Sequence, residues 1–169
     1  MKIDVLICTV NERINEIYDL ILPYRPDVKY IISHQVFDGN EYSFLKERKD
    51  IVYKQIKSKG LSKNRNSALS MANSEICLIS DDDVKFKNEF FTRIIKSFQK
   101  APEADIITFK VKTPEGEKQS FKNYPNAPFT HDMITILNVS SIEIAFKLKK
   151  IKAYDIKFDE LFGLGSIFP

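Results

Sequence analysis

A run of three aspartates, Asp81, Asp82 and Asp83, is the strongest candidate for chemistry in this 169-residue chain. It follows an apolar segment, residues 76–80, that is typical of a buried strand. Three adjacent carboxylates repel one another, and a bound Mg²⁺ or Mn²⁺, which prefers oxygen ligands, would offset that cost. The alternative is an acidic turn exposed to solvent, and the three aspartates alone would favour that alternative.

A basic segment just upstream changes this balance. Gly60 opens a predicted helix that carries Lys63 and Arg65 near its start. Cationic side chains and the free amide groups of a helix N-terminus both suit a phosphate group. Together with the aspartates, this segment predicts a site for a phosphorylated ligand and a divalent cation.

The order of these features resembles the donor-binding core of the family 2 glycosyltransferases with the GT-A fold. In that family a helix of the form G-x-x-x-x-R-N-x-x-L-x-x-A precedes a strand that ends in an Asp-x-Asp motif. The acidic motif alone is short and common, and the ordered combination is more specific. The matching residues here are Gly60, Arg65, Asn66, Leu69, Ala72, Asp81 and Asp83.

The resemblance implies a role for each charged residue of this core. Asp81 would contact the ribose or the metal, Asp83 would hold the metal, and Asp82 would belong to the nucleotide-sugar site. The metal, Mn²⁺ or Mg²⁺, would bridge the diphosphate of the donor and act as a Lewis acid on the departing nucleotide. Lys63 and Arg65 would neutralise further phosphate charge. Alternatively, Lys63 is exposed to solvent and Arg65 forms a structural salt bridge with an aspartate of the motif.

The end of the first predicted strand resembles the opening nucleotide motif of the family. Thr9, Asn11 and Glu12 match that motif, and Val10 stands in place of the usual aromatic residue, which removes a base-stacking ring from this position. The resemblance therefore implies that Thr9, Asn11 and Glu12 contact the nucleotide-sugar. Asn11 is also predicted to cap the helix that follows.

The second predicted strand ends in Ser33, His34 and Gln35, where the family has an aspartate that binds the nucleobase. Gln35 would offer its amide to a base edge, or it belongs to a polar loop. His34 has the chemistry of a general base, but its spacing to the acidic residues does not argue for that role.

The last residues of the chain resemble the acceptor-side loop of the family, F-D-E-x-F-G-x-G. Asp159 and Glu160 would shape the acceptor site, and Gly163 and Gly165 would let the backbone approach the sugar closely, or form an ordinary turn. In the family an acidic pair further on supplies the catalytic base. The resemblance places that base beyond Pro169, so we expect this chain to bind donor but to transfer sugar poorly.

Composition limits the class of protein. Hydrophobic residues make up 43% and charged residues 29%, as is typical of one globular domain. The net charge of +3 is too small to argue for a nucleic-acid partner. No apolar run approaches the ~20 residues of a membrane span, and the first residues lack a signal-peptide layout. Cys8 and Cys77 lie in apolar segments and predict buried free thiols, so we expect a cytoplasmic protein.

Hydrophobic periodicity predicts the elements that position these motifs. Helices are expected after the first strand, from Gly60, and from a cap at Asn88. The alternation of strands and helices predicts a mainly parallel sheet, whose ligands lie at the carboxyl ends of its strands. No Gly-x-Gly-x-x-Gly follows the first strand, so a dinucleotide site is not predicted. The strands are predicted at residues 2–10, 28–33, 51–55 and 76–80.

The pattern changes beyond residue 105. It predicts a strand at residues 106–111, a hairpin turn at 114–116, a return strand at 119–122 and a helix at 141–149. We therefore divide the chain into a nucleotide-sugar-binding half, about residues 1–105, and an incomplete acceptor-side half, about residues 106–169.

These observations identify the chain as a single α/β domain with the Rossmann-like GT-A fold, a mainly parallel sheet flanked by helices. The implied function is that of a metal-dependent, inverting glycosyltransferase that moves a sugar from a nucleotide-diphospho-sugar to a hydroxyl of a glycan or lipid-linked acceptor. One alternative is a non-catalytic module that binds sugar nucleotides. A phospho-acceptor domain like a response regulator is disfavoured, because its acidic cluster should follow the first strand and not the fourth. The sugar, nucleobase, acceptor and oligomeric state are left open.

Overall fold

The computed structural model describes residues 1–42, 48–113, 116 and 120–168. The strands in this part of the chain form one sheet. They are β1 (Ile3–Val10), β2 (Val28–Gln35), β3 (Ile51–Ile56), β4 (Ile76–Asp81), β5 (Ile106–Thr108) and β6 (Ile144–Lys147). The order across the sheet is β3-β2-β1-β4-β6-β5.

The α-helices described are α1 (Ile17–Leu20), α2 (Leu61–Met71), α3 (Asn88–Lys100) and α4 (Leu148–Ala153). Short 3₁₀ helices occupy Asn11–Glu16, Thr135–Asn138 and Ser141–Glu143. Within the described ranges, no helix combines the length and the apolar character that crossing a membrane requires.

The first four strands run parallel to one another, as the sequence pattern predicted. β1 pairs with β2 on one side and with β4 on the other, and β3 pairs with β2. β1, β2 and β4 are buried along nearly their whole length, because a parallel strand in the middle of such a sheet is covered on both faces. β6 is antiparallel to both β4 and β5. The predicted mainly parallel α/β sheet is confirmed.

Helices cover both faces of the sheet. Alternate residues of β1 point to opposite faces, so Val5 packs toward α3 whereas Leu6 packs toward α2. Phe91, Ile94 and Phe98 form the buried face of α3, and each is fully buried. Cys8 and Cys77 are buried free thiols, as predicted.

Two predicted helix caps are wrong. Asn11 lies inside the first 3₁₀ helix with a positive φ of 46°, and its side chain accepts a hydrogen bond from the Phe37 amide across the sheet edge. The cap positions of the first 3₁₀ helix and of α3 are Val10 and Lys87, and neither makes a side-chain capping bond. Asn88 is already the first residue of α3.

The predicted helix at residues 141–149 is also wrong for most of its length. Ile144–Lys147 form β6, and α-helix begins only at Leu148. The cause is the pairing with β4 and β5, which buries Ala145 and Phe146 within the sheet. A short apolar run has no clear period, so its partners decide its conformation.

The neighbouring predictions have mixed outcomes. β5 covers only Ile106–Thr108, so the predicted strand is shorter than residues 106–111. Most of the predicted hairpin turn, and Gln119 of the return strand, lie outside the described residues. Residues 120–122 do not form strand.

Glu143 anchors the segment that precedes β6 to the loop after β5. Its carboxylate is 3% exposed and accepts hydrogen bonds from Lys122 Nζ at 2.6 Å and Tyr124 OH at 2.5 Å. Burial acts to raise the pKa of Glu143, but the hydrogen bonds from Lys122, Tyr124 and the Ser140 amide outweigh it and lower that pKa.

Because the folded-state pKa of Glu143 is lowered, its ionised form stabilises the fold above the ordinary value of 4.5, and this contribution is lost as the pH falls through the folded-state pKa. We expect Glu143→Gln to reduce the free energy of unfolding at pH 7 by ~1–2 kcal/mol. The difference from wild type should shrink as the pH is lowered below 4.5. Urea unfolding across this pH range measures it, with the exposed Glu103→Gln as matched control. A difference that stays constant with pH would contradict the prediction.

Candidate functional site

A cleft of about 520 Å³ lies at the carboxyl ends of β1, β2 and β4, beside the start of α2. This is the edge where a parallel α/β sheet binds its ligands. Some of the predicted site residues line the cleft: Thr9, Gln35, Asp81, Asp82, Asp83 and Gly165. The other predicted residues lie outside its lining: Asn11, Glu12, Lys63, Arg65, Asp159, Glu160 and Gly163.

The middle aspartate of the cluster is held by an arginine that sequence reasoning missed. Asp82 is 6% exposed, and Arg13 Nε donates to both of its carboxylate oxygens, at 3.1 and 3.0 Å. Arg13 Nη2 also bonds Asp82 and lies 3.6 Å from Asp83 Oδ2. Because Arg13 follows β1 and the aspartates follow β4, adjacent parallel strands bring the two together.

Arg65 pairs with the first aspartate. Its Nη2 lies 3.3 Å from Asp81 Oδ1 and 2.7 Å from Ser141 Oγ. The guanidinium carbon lies 5.6 Å from the centre of the Phe158 ring, and the side chain is 14% exposed. Arg65 thus has the geometry of the structural salt bridge that the sequence offered as an alternative to phosphate binding. Lys63 is exposed to solvent.

The accessible carboxylates fit a cation that shares its coordination with a ligand. Asp83 and Asp81 have side chains 67% and 41% exposed, and both line the cleft. In the part of the chain that the structure describes, no three His, Cys, Asp or Glu side chains are grouped as a preformed metal cage. Mg²⁺ commonly binds through one or two carboxylates together with substrate phosphates and water. Asp81 and Asp83 have the exposure that this mode of binding requires.

The start of α2 contacts the C-terminal loop of the chain. The Leu61 amide, the first of the helix, donates to the Leu164 carbonyl at 2.9 Å. Gly60 has φ of +119°, and a Cβ built on it would lie 3.2 Å from Ser166 Oγ. A Cβ on Gly165 would lie 3.5 Å from the Gly60 backbone. In the described structure the close approach at Gly165 is therefore to Gly60, and one amide predicted for phosphate is used within the chain.

Asn66 of the helix motif holds the other end of this loop. Its Oδ1 accepts from the Phe158 amide, and its Nδ2 donates to the Phe158 carbonyl, each at 2.9 Å. Nδ2 also lies 3.3 Å from Glu160 Oε1. Asp159 Oδ1 accepts from the Leu161 amide at 3.0 Å. Of the predicted acceptor-side residues, Asp159, Glu160 and Gly165 are exposed and Gly163 is partly buried, on a loop that α2 contacts at both ends.

Gln35 presents one defined atom to the cleft. Its Nε2 donates to the Ser58 carbonyl at 2.7 Å and to the Gly60 carbonyl at 3.0 Å. Carbonyl oxygens only accept hydrogen bonds, so both protons of the amide are used and the orientation of the amide is determined. Oε1, an acceptor, is the polar atom of the Gln35 side chain that these two bonds leave unused.

An aromatic ring is available next to Gln35. Phe37 lines the cleft, is 45% exposed, and has Lys59 Nζ 5.6 Å from its ring centre. An exposed aromatic ring, which position 10 lacks, is thus present just beyond the end of β2. Phe37 could have been found from the sequence, because it is the first aromatic residue after that strand.

His34 holds the end of β2 in place. It is fully buried, with Nδ1 2.8 Å from Tyr53 OH and Nε2 2.8 Å from the Asn11 carbonyl. Burial lowers the pKa of His34, which favours the neutral ring. Both ring nitrogens are engaged outside the cleft lining, so the geometry gives no support to a general base here.

Buried polar atoms with unused hydrogen-bonding capacity lie at the cleft. Among the side chains that the structure describes, Thr9 Oγ1 and Asn64 Oδ1 are buried without a hydrogen-bond partner. An unsatisfied buried group costs ~1–3 kcal/mol, which a ligand or water can offset. Burial raises the pKa of the neighbouring Cys8 thiol to about 12, so Cys8 is neutral at physiological pH.

Solved structures share this fold. The crystal structure of S. aureus TarS residues 1–349 is 19% identical, with a TM-score of 0.69 over 98% of this chain and 52% of that chain. The same fragment in complex with UDP-GlcNAc is 19% identical, with a TM-score of 0.69 over 98% and 51% of the two chains. Its complex with UDP gives 19% identity and a TM-score of 0.65 over 95% and 51%. The chain therefore spans about half the length of these structures, and the likeness shows that it has the GT-A fold.

Sequence comparison shows the family directly. No curated protein matches the chain significantly. The family described as "Glycosyl transferase family 2" matches residues 40–161, which is more than half of the chain and includes the helix motif, the aspartates and the start of the C-terminal loop. The chain belongs to glycosyl transferase family 2.

Proposed function

We propose that the cleft binds a uridine-diphospho-sugar together with Mn²⁺ or Mg²⁺, as the donor site of an inverting glycosyltransferase. The observation that carries the proposal is the aspartate cluster in a cleft at the carboxyl ends of β1, β2 and β4 of a family 2 domain. The TarS structures that share this fold include complexes with UDP-GlcNAc and UDP. The acceptor in this proposal is a hydroxyl of a glycan or of a lipid-linked saccharide.

The base end of the cleft suits a uridine nucleotide. Gln35 offers an acceptor, and the N3–H of uracil is a donor that it can bind, as are the ring N–H groups of thymine and guanine. The amino groups of cytosine and adenine can also donate to Gln35 Oε1, so Gln35 alone does not select the base. The uridine nucleotides bound by TarS favour uracil.

The acidic end of the cleft suits the diphosphate. Asp81 and Asp83 are the residues that would hold a divalent cation there, because they line the cleft and remain partly exposed. A bound divalent cation supplies Lewis-acid stabilisation of the charge that develops on the departing diphosphate. Arg13 and Lys59, which also line the cleft, add positive charge beside the phosphates.

The reaction in this proposal is a single displacement. The acceptor oxygen forms a bond to the anomeric carbon while the bond from that carbon to the diphosphate oxygen breaks. The acceptor proton passes to a base, and the nucleoside diphosphate leaves. Asp159 and Glu160 are exposed on the loop that Asn66 fixes, where they would shape the acceptor site. A cytoplasmic location belongs to the same proposal, since nucleotide-sugars are the donors and Cys8 and Cys77 are free thiols.

Thermal shifts against a panel of UDP-, dTDP-, GDP- and CMP-sugars, each with and without Mn²⁺, test the proposal. The expected result is stabilisation by UDP-sugars that requires Mn²⁺, with little or no shift from CMP-sugars. Stabilisation by none of the panel would overturn it. A binding module without catalysis predicts the same shifts, and measurable transfer of sugar from the donor would rule that alternative out.

Phe37→Ala should weaken UDP binding by ~1–2 kcal/mol, because an exposed ring that stacks on a base contributes about that much. The free energy of unfolding should change little, since the Phe37 ring is 45% exposed. Calorimetric titration with UDP in the presence of Mn²⁺ measures the effect. Phe121→Ala is a matched control, because Phe121 is 39% exposed and lies under Lys122 at 5.4 Å, away from the cleft. Equal losses in both variants would remove Phe37 from the base site.

A further inference from the structure

Arg13 is a cleft residue that the proposed function uses only as one positive charge among several. Its guanidinium forms a two-pronged contact with Asp82, and Nη2 also lies 3.6 Å from Asp83 Oδ2 and 3.7 Å from Glu16 Oε2. The Asp82 side chain is only 7% exposed, whereas the Arg13 side chain is 39% exposed. The fork and the low exposure together turn the carboxylate of Asp82 toward Arg13.

This arrangement leaves the three aspartates with unequal access to a cation. Asp82 is paired with Arg13 through both carboxylate oxygens. Asp81 has one contact with Arg65, at 3.3 Å, and Asp83 is mostly exposed. Two guanidinium groups therefore face three carboxylates, and the cluster has a net charge of only −1 toward a cation that arrives alone.

We propose that Arg13 is a positioning residue that keeps Asp82 out of the metal-binding set, so that Asp81 and Asp83 bind a divalent cation effectively only together with a diphosphate. The inference rests on the proposed function, because it concerns the regulation of the same donor site. Oxygen ligands and negative charge determine the affinity of a hard cation. Because Asp82 is paired with Arg13, the nucleotide must supply some of the oxygen ligands and some of the negative charge.

The chain offers a direct test of this role, Arg13→Gln. The substitution removes a positive charge and frees Asp82, so Mn²⁺ without nucleotide should bind about tenfold tighter, the size that Coulomb's law gives for a divalent ion and a unit charge about 6 Å apart in water. The factor by which UDP raises the affinity for Mn²⁺ should become smaller. Since coupling is reciprocal, the factor by which Mn²⁺ raises the affinity for UDP should fall to the same extent.

A second prediction tests whether the freed Asp82 carboxylate is the additional ligand for Mn²⁺. In the double variant Arg13→Gln, Asp82→Asn the additional ligand is lost, so the affinity for Mn²⁺ alone should return to within about threefold of wild type. If Arg13→Gln alone fails to fold, the double variant can still be measured, because it leaves no buried carboxylate without a partner. A tenfold gain in Mn²⁺ affinity in the double variant would then overturn the proposal.

Electron paramagnetic resonance of free Mn²⁺, at low ionic strength and without nucleotide, gives these affinities for the full 169-residue chain. Arg25→Gln is the matched control, because Arg25 forms the same fork with Asp27, at 3.1 and 2.8 Å, outside the cleft. Its Mn²⁺ affinity should equal that of wild type.

Two outcomes would overturn the inference. If folded Arg13→Gln binds Mn²⁺ no more tightly than wild type, Arg13 does not restrain Asp82 from the metal. If Arg13→Gln weakens UDP binding by the same factor with EDTA and with Mn²⁺, Arg13 acts only as a positive charge beside the phosphates and is not a positioning residue. Both leave the proposed function intact, because wild type still binds UDP in a Mn²⁺-dependent manner. If wild type binds UDP with the same affinity in Mn²⁺ and in EDTA, the proposed metal dependence is overturned, and this inference with it.

Discussion

Asp83→Asn should abolish the Mn²⁺-dependent part of UDP binding and leave the fold intact. The Asp83 side chain is 67% exposed and lines the cleft, so the substitution removes a charge that a cation can reach without exposing a buried surface. Loss of a residue next to a metal ligand already costs 10–100-fold in metal affinity, so we expect loss of the ligand itself to cost about 100-fold or more.

Calorimetric titration with UDP, in Mn²⁺ and in EDTA, measures this effect. In EDTA the variant and wild type should bind UDP alike. Asp155→Asn is a matched control, because the Asp155 side chain is 82% exposed, pairs with Lys157 and lies outside the cleft. Equal UDP binding by wild type in Mn²⁺ and in EDTA would show that the aspartates serve another purpose.

Arg65→Ala should destabilise the protein without changing its preference among nucleotides. The substitution removes the contacts of Arg65 with Asp81 and Ser141 and its packing on Phe158, and we expect a loss of ~2–3 kcal/mol in the free energy of unfolding. Because Arg65 lies outside the cleft lining, the ratio of UDP affinity to uridine affinity, measured in EDTA so that no metal binds Asp81, should remain that of wild type.

Thermal unfolding and paired titrations with UDP and uridine measure both quantities. The exposed Arg93→Ala serves as the control for loss of an arginine from a helix. A selective loss of UDP affinity with an unchanged melting temperature would assign Arg65 to the phosphate site. The family resemblance implies that phosphate role, whereas the contacts of Arg65 indicate a structural one. The experiment decides between these two roles.

Local sequence was sufficient for the parallel half of the fold. β1, β4, α2 and α3 appear close to their predicted bounds, because long apolar runs and a helical period are properties of the segment itself. The direction of a parallel strand determines which of its ends faces the ligand edge. Asp81, Asp82, Asp83, Thr9 and Gln35 could therefore be assigned to one cleft before any contact was known.

Short segments were decided by their partners. Ile144–Lys147 carries the apolar residues of a helix face as readily as those of a strand, and the ladders with β4 and β5 make it β6. Asn11 is a good capping residue by type, yet contacts with the Phe37 amide and with His34 place it at a positive φ. In both cases hydrogen bonds to distant backbone outweigh local preference.

The chain by itself determined the chemistry available at the cleft, and the tertiary structure decided how each side chain is used. Arg13 and Asp82 are 69 residues apart, and Asn66 and Phe158 are 92 apart, so no local pattern could pair them. The sheet order brings the ends of β1 and β4 together, and that contact pairs one of the three aspartates with Arg13. Residue type and spacing predict that a charged group lies at a site. Which group it pairs with, by charge and by hydrogen bonds, depends on the partner that the fold places next to it.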